Sequence, residues 1–304
     1  MSYDSIVCVK QVPDTANITA EAMKEDGTVN RSALPTIFNP EDLHALETAL
    51  EVRDQYGGTV TVITMGPPKA ADVLRDSLFR GADRGILLTD RRAAASDTLA
   101  TSYILAQAVR TVGRFDFVFC GRQAIDGDTA QVGPQCAEKL GIPQVTYLEQ
   151  LISVHDRVAR IRRNIGHGWE IIEAKLPVLI TVLESANEPR PPAAKRVMRL
   201  KHARVPAEVA GEVKAASPNA SEQELAAETD RRISALRQCG LMLEQWDLDA
   251  IHADLQRCGL AGSPTKVHRV QAIVLTKEGF RPVPATEQGI RELIHELVVD
   301  RTWG

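Results

Sequence analysis

The sequence predicts an α/β fold: a doubly wound, mostly parallel sheet with antiparallel additions and a C-terminal arm. Three observations predict it. Short, almost wholly apolar runs, such as residues 5–9 (SIVCV) and 117–120 (FVFC), read as strands buried on both faces of a parallel sheet. Segments with helical spacing separate these runs, so strand and helix alternate four times up to Cys120, the pattern of right-handed crossovers. Beyond Pro143 the period changes to that of antiparallel strands.

The first strand ends at Val9, and Pro13 imposes an extended or turn geometry on the following residues 10–14 (KQVPD). Lys10, just past the strand's carboxyl end, either faces a ligand or is solvated. Asn39 and Pro40 supply an N-cap and a first-turn proline for a helix over 41–56, which Gly57 and Gly58 end. Residues 59–64 form the next strand, 65–68 (Met65, Gly66 and two prolines) a turn, and 70–80 a helix. A glycine-flanked turn at 81–85 leads into a strand at 86–88. Ser96 and Asp97 cap a helix over 98–111, and 115–120 is the strand after it.

The stretch 121–134 (GRQAIDGDTAQVGP) joins that strand to a helix-like segment at 135–140, which places it at the carboxyl edge of the sheet, where α/β folds hold ligands. Gly127 lets the backbone approach a ligand closely, while Thr129, Ala130, Gln131 and Val132 would present amides at a helix N-terminus. Asp126 and Asp128 repel a phosphate unless they face away, cap the helix or bind a ribose hydroxyl. Taken alone, the loop fits a capped polar turn and an anion site equally well. The turns at 10–14, 65–68 and 121–134 share one edge, and their convergence favours a ligand site.

Residues 145–154, 158–161 and 169–172 read as antiparallel strands, and 177–182 as a last buried strand. His167, between two glycines, reads as an exposed turn residue. From Asn187 three prolines precede a basic run (Lys195, Arg196, Arg199, Lys201, Arg204) without core periodicity, which indicates an arm rather than a packed element. Residues 205–240, rich in Ala, Glu and Ser, read as a marginal helix or a mobile insertion. A short strand is expected at 270–275 and an amphipathic helix at 286–299, with Ile290, Leu293, Ile294, Leu297 and Val298 on one side.

A chain of 304 residues can bury a sizeable core as one large domain or a domain plus an arm. A formal charge of -4 and 4% aromatic residues supply neither a broad phosphate-binding face nor a stacking platform, so no nucleic-acid partner is expected. Five cysteines, odd in number and without a CxxC pair, argue for core thiols in a reducing compartment rather than disulfides or a zinc site. The opening residues show no secretory or transit pattern and no long apolar run occurs, so the expectation is a cytoplasmic protein without membrane insertion. The motifs GxSxG, HExxH, GxxxxGK[ST] and GxGxxG are absent and the histidines lack metal-ligand spacing, so no catalytic residue and no metal site is assigned.

Residues 9–14 (VKQVPD), 81–85 (GADRG), the 121–134 loop and 186–190 (ANEPR) together resemble the small (beta) subunit of the electron-transfer flavoproteins, in that family's order, and 262–265 (GSPT) extends the likeness. The resemblance implies a Rossmann-like, adenine-nucleotide-binding body paired with a larger alpha subunit that holds a flavin. The beta site then holds AMP or, in electron-bifurcating members, a second FAD. Gly127, Thr129, Ala130 and Val132 through Pro134 resemble the bifurcating group, as does VKQVPDT at 9–15. NADH would then deliver hydride on the beta side. One electron would pass uphill to ferredoxin or flavodoxin and one downhill, through the alpha-subunit FAD, to an acyl-CoA dehydrogenase, another dehydrogenase or a quinone reductase.

By the same resemblance, Val9, Asn39, Met65 and Gly66 line the adenosine pocket, and Gly121 with Asp126, Gly127, Asp128, Thr129, Ala130, Gln131 and Val132 holds ribose and phosphates. Lys10 and Asp14 approach the flavin side. Residues 187–204 match the family's partner-recognition loop, with Asn187, Glu188, Pro189 and Arg190 at its start, Val197 or Met198 as apolar anchor, and basic residues steering an acidic surface. The expected organisation is a nucleotide- or flavin-binding body over 1–186, the recognition loop over 187–204, an insertion over 205–245 that is helical or mobile, and a C-terminal segment over 246–304 packing on the alpha subunit. Two rivals remain: a non-bifurcating beta subunit with a structural AMP, and an adenine-nucleotide-binding sensor or hydrolase of related fold that purifies alone.

Overall fold

The computed structural model describes residues 2–14, 34–265 and 282–299. The first strand, β1 (Ser5–Cys8), is buried along its whole length, and a small antiparallel ribbon of β2 (Gln11–Pro13) and β3 (Thr36–Phe38) follows it. Then come α1 (Pro40–Tyr56), β4 (Val60–Met65), α2 (Ala71–Arg80), β5 (Arg84–Leu88), α3 (Thr98–Val112), β6 (Phe117–Gly121) and α4 (Val132–Leu140). Strands β7 (Gln144–His155), β8 (Val158–Asn164) and β9 (Trp169–Lys175) form the antiparallel addition, and β10 (Val178–Val182) returns to the sheet centre. Helices α5 (Ala194–Leu200), α6 (Pro206–Ala216) and α7 (Glu222–Gln238), strand β11 (Glu244–Trp246) and helix α8 (Glu287–Val299) complete the described elements.

Nine strands make one sheet in the order β11-β5-β4-β1-β6-β10-β7-β8-β9. Pairing is parallel from β11 to β7 and antiparallel beyond. The wholly buried strands β1, β6 and β10 carry apolar residues toward both faces because helices cover both. One core half gathers Val7, Leu46, Leu50, Leu74, Phe117 and Ile180, and the other gathers Ile6, Ile63, Ile86, Ile104, Val118 and Leu179. The doubly wound, mostly parallel α/β architecture is therefore present. Its strand order reverses between β1 and β6, the crevice at which such sheets bind ligands.

Four expectations need correction. Strand β10 is the last wholly buried strand among the described residues, but an unexpected half-buried strand, β11, pairs in parallel with β5 at the far edge, and Arg84 binds Glu244 across that pair, so the sheet of the 1–186 body is completed by residues well beyond it. Three half-buried residues, two of them polar, carry no strand periodicity to find. The segment 187–204 is not a free arm, because it contains α5, which packs on α2, and because Leu200 and Ala203 enter the core. Arg196 donates to the Leu78 and Ala82 carbonyls, and Arg204 pairs with Glu212, so only Lys195, Arg199 and Lys201 of the basic run point outward. Finally, α4 starts at Val132 rather than 135, absorbing the last three residues of the loop.

The segment 205–245 forms two helices, and Ser221 caps α7 with a reciprocal Glu224 bond. The strand expected at 270–275 lies outside the described residues, while the amphipathic helix expected at 286–299 is α8. Among the described residues no helix is long and apolar enough to cross a membrane, and no cluster of His, Cys, Asp or Glu fits a metal ion.

Phe117 is fully buried in the central strand, stacked on Phe119 at 5.3 Å and edge-on to Tyr3 at 6.1 Å. Phe117→Ala is expected to lower unfolding free energy by about 3–5 kcal/mol, read from the denaturant midpoint. A loss under about 1 kcal/mol would contradict the packing described.

Candidate nucleotide site

Helix α1 begins at the crevice between β1 and β6, and its first turn gathers the loops from both. Asn39 occupies the N-cap position without capping. Its Nδ2 donates to the Gln123 carbonyl at 2.9 Å and its Oδ1 accepts the Ile125 amide at 3.2 Å. Next to it, Glu41 accepts Arg122 Nη2 at 2.7 Å and the Gln123 amide at 3.0 Å. Asp42 accepts the Lys10 amide at 2.8 Å on Oδ2 and the Gly121 amide at 3.0 Å on Oδ1. Burial pushes the Asp42 carboxyl up to about 7, against the opposing pull of a hydrogen bond with the Asn39 side chain and of the Gly121 and Lys10 amides.

This approach is so close that a Cβ on Gly121 would lie 2.5 Å from Asp42 Oδ1 and 2.7 Å from the Glu41 carbonyl carbon. The glycine is thus required by the first turn of α1, not only by a ribose or phosphate as the resemblance implies. Glu41, Asp42, Arg122 and Gln123 were invisible as site residues. Two acidic residues in a first helical turn are what the helix dipole alone would favour, and nothing local betrays their burial.

The two carboxylates that complicate an anion-binding reading are both engaged. Asp126 takes Lys10 Nζ on both oxygens, at 2.7 and 2.8 Å, and Asp128 accepts Gln123 Nε2 at 3.0 Å. The Lys10–Asp126 pair is partly exposed and worth no more than about 1 kcal/mol, so Lys10 is easily redirected toward an incoming anion. Asp128 and Ala130 have φ of 48° and 53°, whereas Thr129 between them and Gln131 after them do not enter the left-handed region. A non-glycine residue costs on the order of 1 kcal/mol there, and such alternation is the backbone pattern of an anion nest, although the Asp128 amide itself serves the Ala124 carbonyl at 2.9 Å. Gly127 would meet nothing within 4 Å if it carried a Cβ, so the fold itself does not demand a glycine and the space lies free on the solvent side.

At the start of α4, Val132 and Gly133 hold the first-turn amides; Pro134 has none, and the Gln135 amide already serves the Gln131 carbonyl. Gly133 lies against Thr181 of β10, which fixes this helix end close to the sheet. Thr98 donates to Gln131 Oε1 at 2.8 Å, which orients the Gln131 side chain through its acceptor and not through its Nε2 donor. Thr98 follows Asp97, the cap of α3, and Asp97 also accepts the Thr265 amide while its own amide binds Ser263 Oγ. The GSPT segment is therefore built into the same edge.

The remaining expected residues fall on that edge with unequal access. Val9 is buried, its amide bonded to the Ile63 carbonyl, and Asp14 is buried beyond the β2 turn. Gly66 donates to the Leu88 carbonyl. Met65 packs into the second core half beside a void of only about 10 Å³ shared with Trp246, Leu248 and Ile251, so it can meet a base with its outer edge alone. Residues assigned to a partner are more divided. Asn187 donates to the His44 carbonyl and Thr48 Oγ1, and Arg190 grips Glu47 and Asp54, so both are turned onto α1. Glu188 and Met198 are exposed, Met198 at 68%, while Pro189 and Val197 are half-buried.

The electron transfer flavoprotein domain, as a family, matches residues 26–213. An electron transfer flavoprotein subunit beta from Megasphaera elsdenii is 40% identical over 308 residues, covering 97% of this chain and 99% of its own. The chain belongs to the electron transfer flavoprotein family, as a beta subunit. Protein FixA of Bradyrhizobium diazoefficiens is 39% identical over 305 residues, 98% of this chain and 92% of that protein. The CarD subunit of the caffeyl-CoA reductase–Etf complex of Acetobacterium woodii is 47% identical over 186 residues, 61% of this chain and 70% of its own.

Gly121→Ala is expected to cost about 1–3 kcal/mol through overlap with the first turn of α1, and to lower bound nucleotide in the purified protein. Calorimetric melting and cofactor extraction read both effects. Wild-type values for both would show that α1 can withdraw without consequence.

Proposed function

We propose that this chain is the beta subunit of an electron-bifurcating flavoprotein and that the edge formed by Lys10, Asn39, Gly66 and loop 121–133 holds the adenosine and phosphates of FAD. The observation that carries this reading is the loop itself: compensated aspartates, an alternating backbone at 128–131 and open space at Gly127, at the switch point of a doubly wound sheet. These features fit a bound phosphate group and leave an exposed Thr129 beside it. The kinship with CarD, a subunit of a reductase–Etf complex, supports the bifurcating variant of the family.

A flavin bound here supplies two-electron exchange with NADH and one-electron exchange with a ferredoxin or flavodoxin. The chain's own residues bind and orient: Asp42 and Glu41 hold the loops in register, Lys10 is available to the anion, and the amides that follow Asp128 are the donors offered to it. An alpha subunit carries the other FAD. The segment 246–304, with the exposed apolar side of α8 (Ile290, Leu293, Ile294 and Val298), packs on that subunit. Met198, with Lys195, Arg199 and Lys201 around it, meets a dehydrogenase such as an acyl-CoA dehydrogenase; Asn187 and Arg190 position that segment from behind. The same loop, its aspartates engaged by Lys10 and Gln123, also accommodates AMP, which is the second reading.

Cofactor counting on the purified heterodimer separates them. Two FAD per heterodimer is the expected result, one FAD with one AMP rejects bifurcation, and a chain that purifies alone and responds to ATP rejects both. Thr129→Asp, which puts a charge beside the proposed phosphates, is expected to reduce beta-site nucleotide retention about tenfold, roughly 1.4 kcal/mol. Unchanged content in that variant would move the phosphate contact elsewhere.

A further inference from the structure

We infer that Asp42 is a positioning residue for the beta-site nucleotide, and that its ionised carboxylate is the form that holds the site ready to bind. The inference rests on the reading of the Lys10 and Gly121 loops as the nucleotide site. Asp42 touches no reacting atom; it acts through the two loops that do the holding.

The geometry is that of a single clamp. Its two oxygens accept one backbone amide each, from the residues that follow β1 and end β6, the two strands flanking the reversal of strand order. Each oxygen is spent on a different loop, so the carboxylate measures the spacing between them. Among the described residues Asp42 is the side chain that accepts a backbone amide from each loop: Asn39 reaches the Gln123–Ile125 backbone and Asp42 itself, Glu41 reaches Arg122 and Gln123, and Lys10 of the first loop binds the Asp126 carboxylate of the second. Protonation makes one oxygen a donor and a much poorer acceptor, so one buried amide bond is weakened and that loop is held less firmly.

The surroundings leave that proton equilibrium near neutrality. From α1 itself Glu41 faces Asp42 with like charge, but Glu41 is held by Arg122. From the β1 side the Lys10 ammonium is turned to Asp126, and from β6 the Cys120 thiol is neutral, its own titration pushed up by its hydrogen bond with Cys8 and by burial. No cation therefore meets the Asp42 carboxylate directly, and burial outweighs its amide bonds. The folded free protein accordingly takes up a proton between the ordinary aspartate range and about 7 that the unfolded chain does not. Asp42 alone thus favours the fold on the acid side and loses that contribution as pH rises through about 7. Nucleotide binding runs the other way: it strengthens as the carboxylate forms and levels off above neutrality.

The test uses the heterodimer depleted of its beta-site ligand and titrated with ADP-ribose, an adenosine pyrophosphate whose phosphates do not titrate near neutrality. Wild type should bind about tenfold more tightly at about pH 8 than at about pH 6, the limit for one coupled proton. Asp42→Asn, which keeps one acceptor and adds a donor, should bind with the wild-type acid-side affinity at every pH. A variant with the wild-type slope, or a wild type with none, would overturn the inference while leaving the nucleotide site standing. Absence of binding at any pH would overturn the site assignment and the inference with it. Should the variant fail to fold, isotope-edited infrared of wild type decides: the aspartic acid carbonyl band that disappears near neutrality must disappear at lower pH when ADP-ribose is saturating, and an unmoved band contradicts the inference.

Discussion

A buried carboxylate spanning two strand ends is the constraint on which this structure turns. Asp42 joins the Lys10 amide to the Gly121 amide across the crevice where the sheet reverses, and β1, β6 and α1 are thereby fixed relative to one another. An ionisable group in such a place is costly unless its oxygens are satisfied, and here the helix entry, the glycine and the two loops exist in forms that satisfy them. Gly121 can carry no side chain, Pro40 starts the helix without an amide to spare, and Asn39 forgoes capping to hold the third side of the loop.

Helix α1 then carries this constraint along its length. Its first turn organises the ligand edge, and its outer side holds the chain after β10, where His44, Glu47, Thr48 and Asp54 bind Asn187 and Arg190. The edge proposed to hold the nucleotide and the start of the segment that leads to Met198 are therefore two attachments of one helix. This arrangement fits a subunit whose share of redox chemistry is placement: the cofactor supplies the reaction and the chain sets where it and its partner sit.

Much of this was legible in the sequence where a residue's local role and its global role coincide. The buried strands at β1, β4, β6 and β10 are apolar because both faces are covered, and Asp97 caps α3 as its position suggests. The ligand loop announced itself through its glycines and its place after a strand. What escaped reading depends on distant neighbours. Strand β11 is a strand only because β5 offers an edge, and α5 is packed only because α2 lies beneath it. Arg190 reads as a partner-binding residue and Arg196 as part of a basic run, yet they serve Glu47 and backbone carbonyls. Asp42 reads as an ordinary first-turn acid, and only the meeting of two loops reveals what its oxygens bind.

The placement of the ligand at this switch point is open to direct observation by amide hydrogen exchange on the heterodimer with and without its beta-site nucleotide. The account predicts slowed exchange on binding at residues 9–14 and 121–133, with the far ends of the same strands unchanged. Protection confined to other segments, with both loops indifferent to the nucleotide, would contradict it.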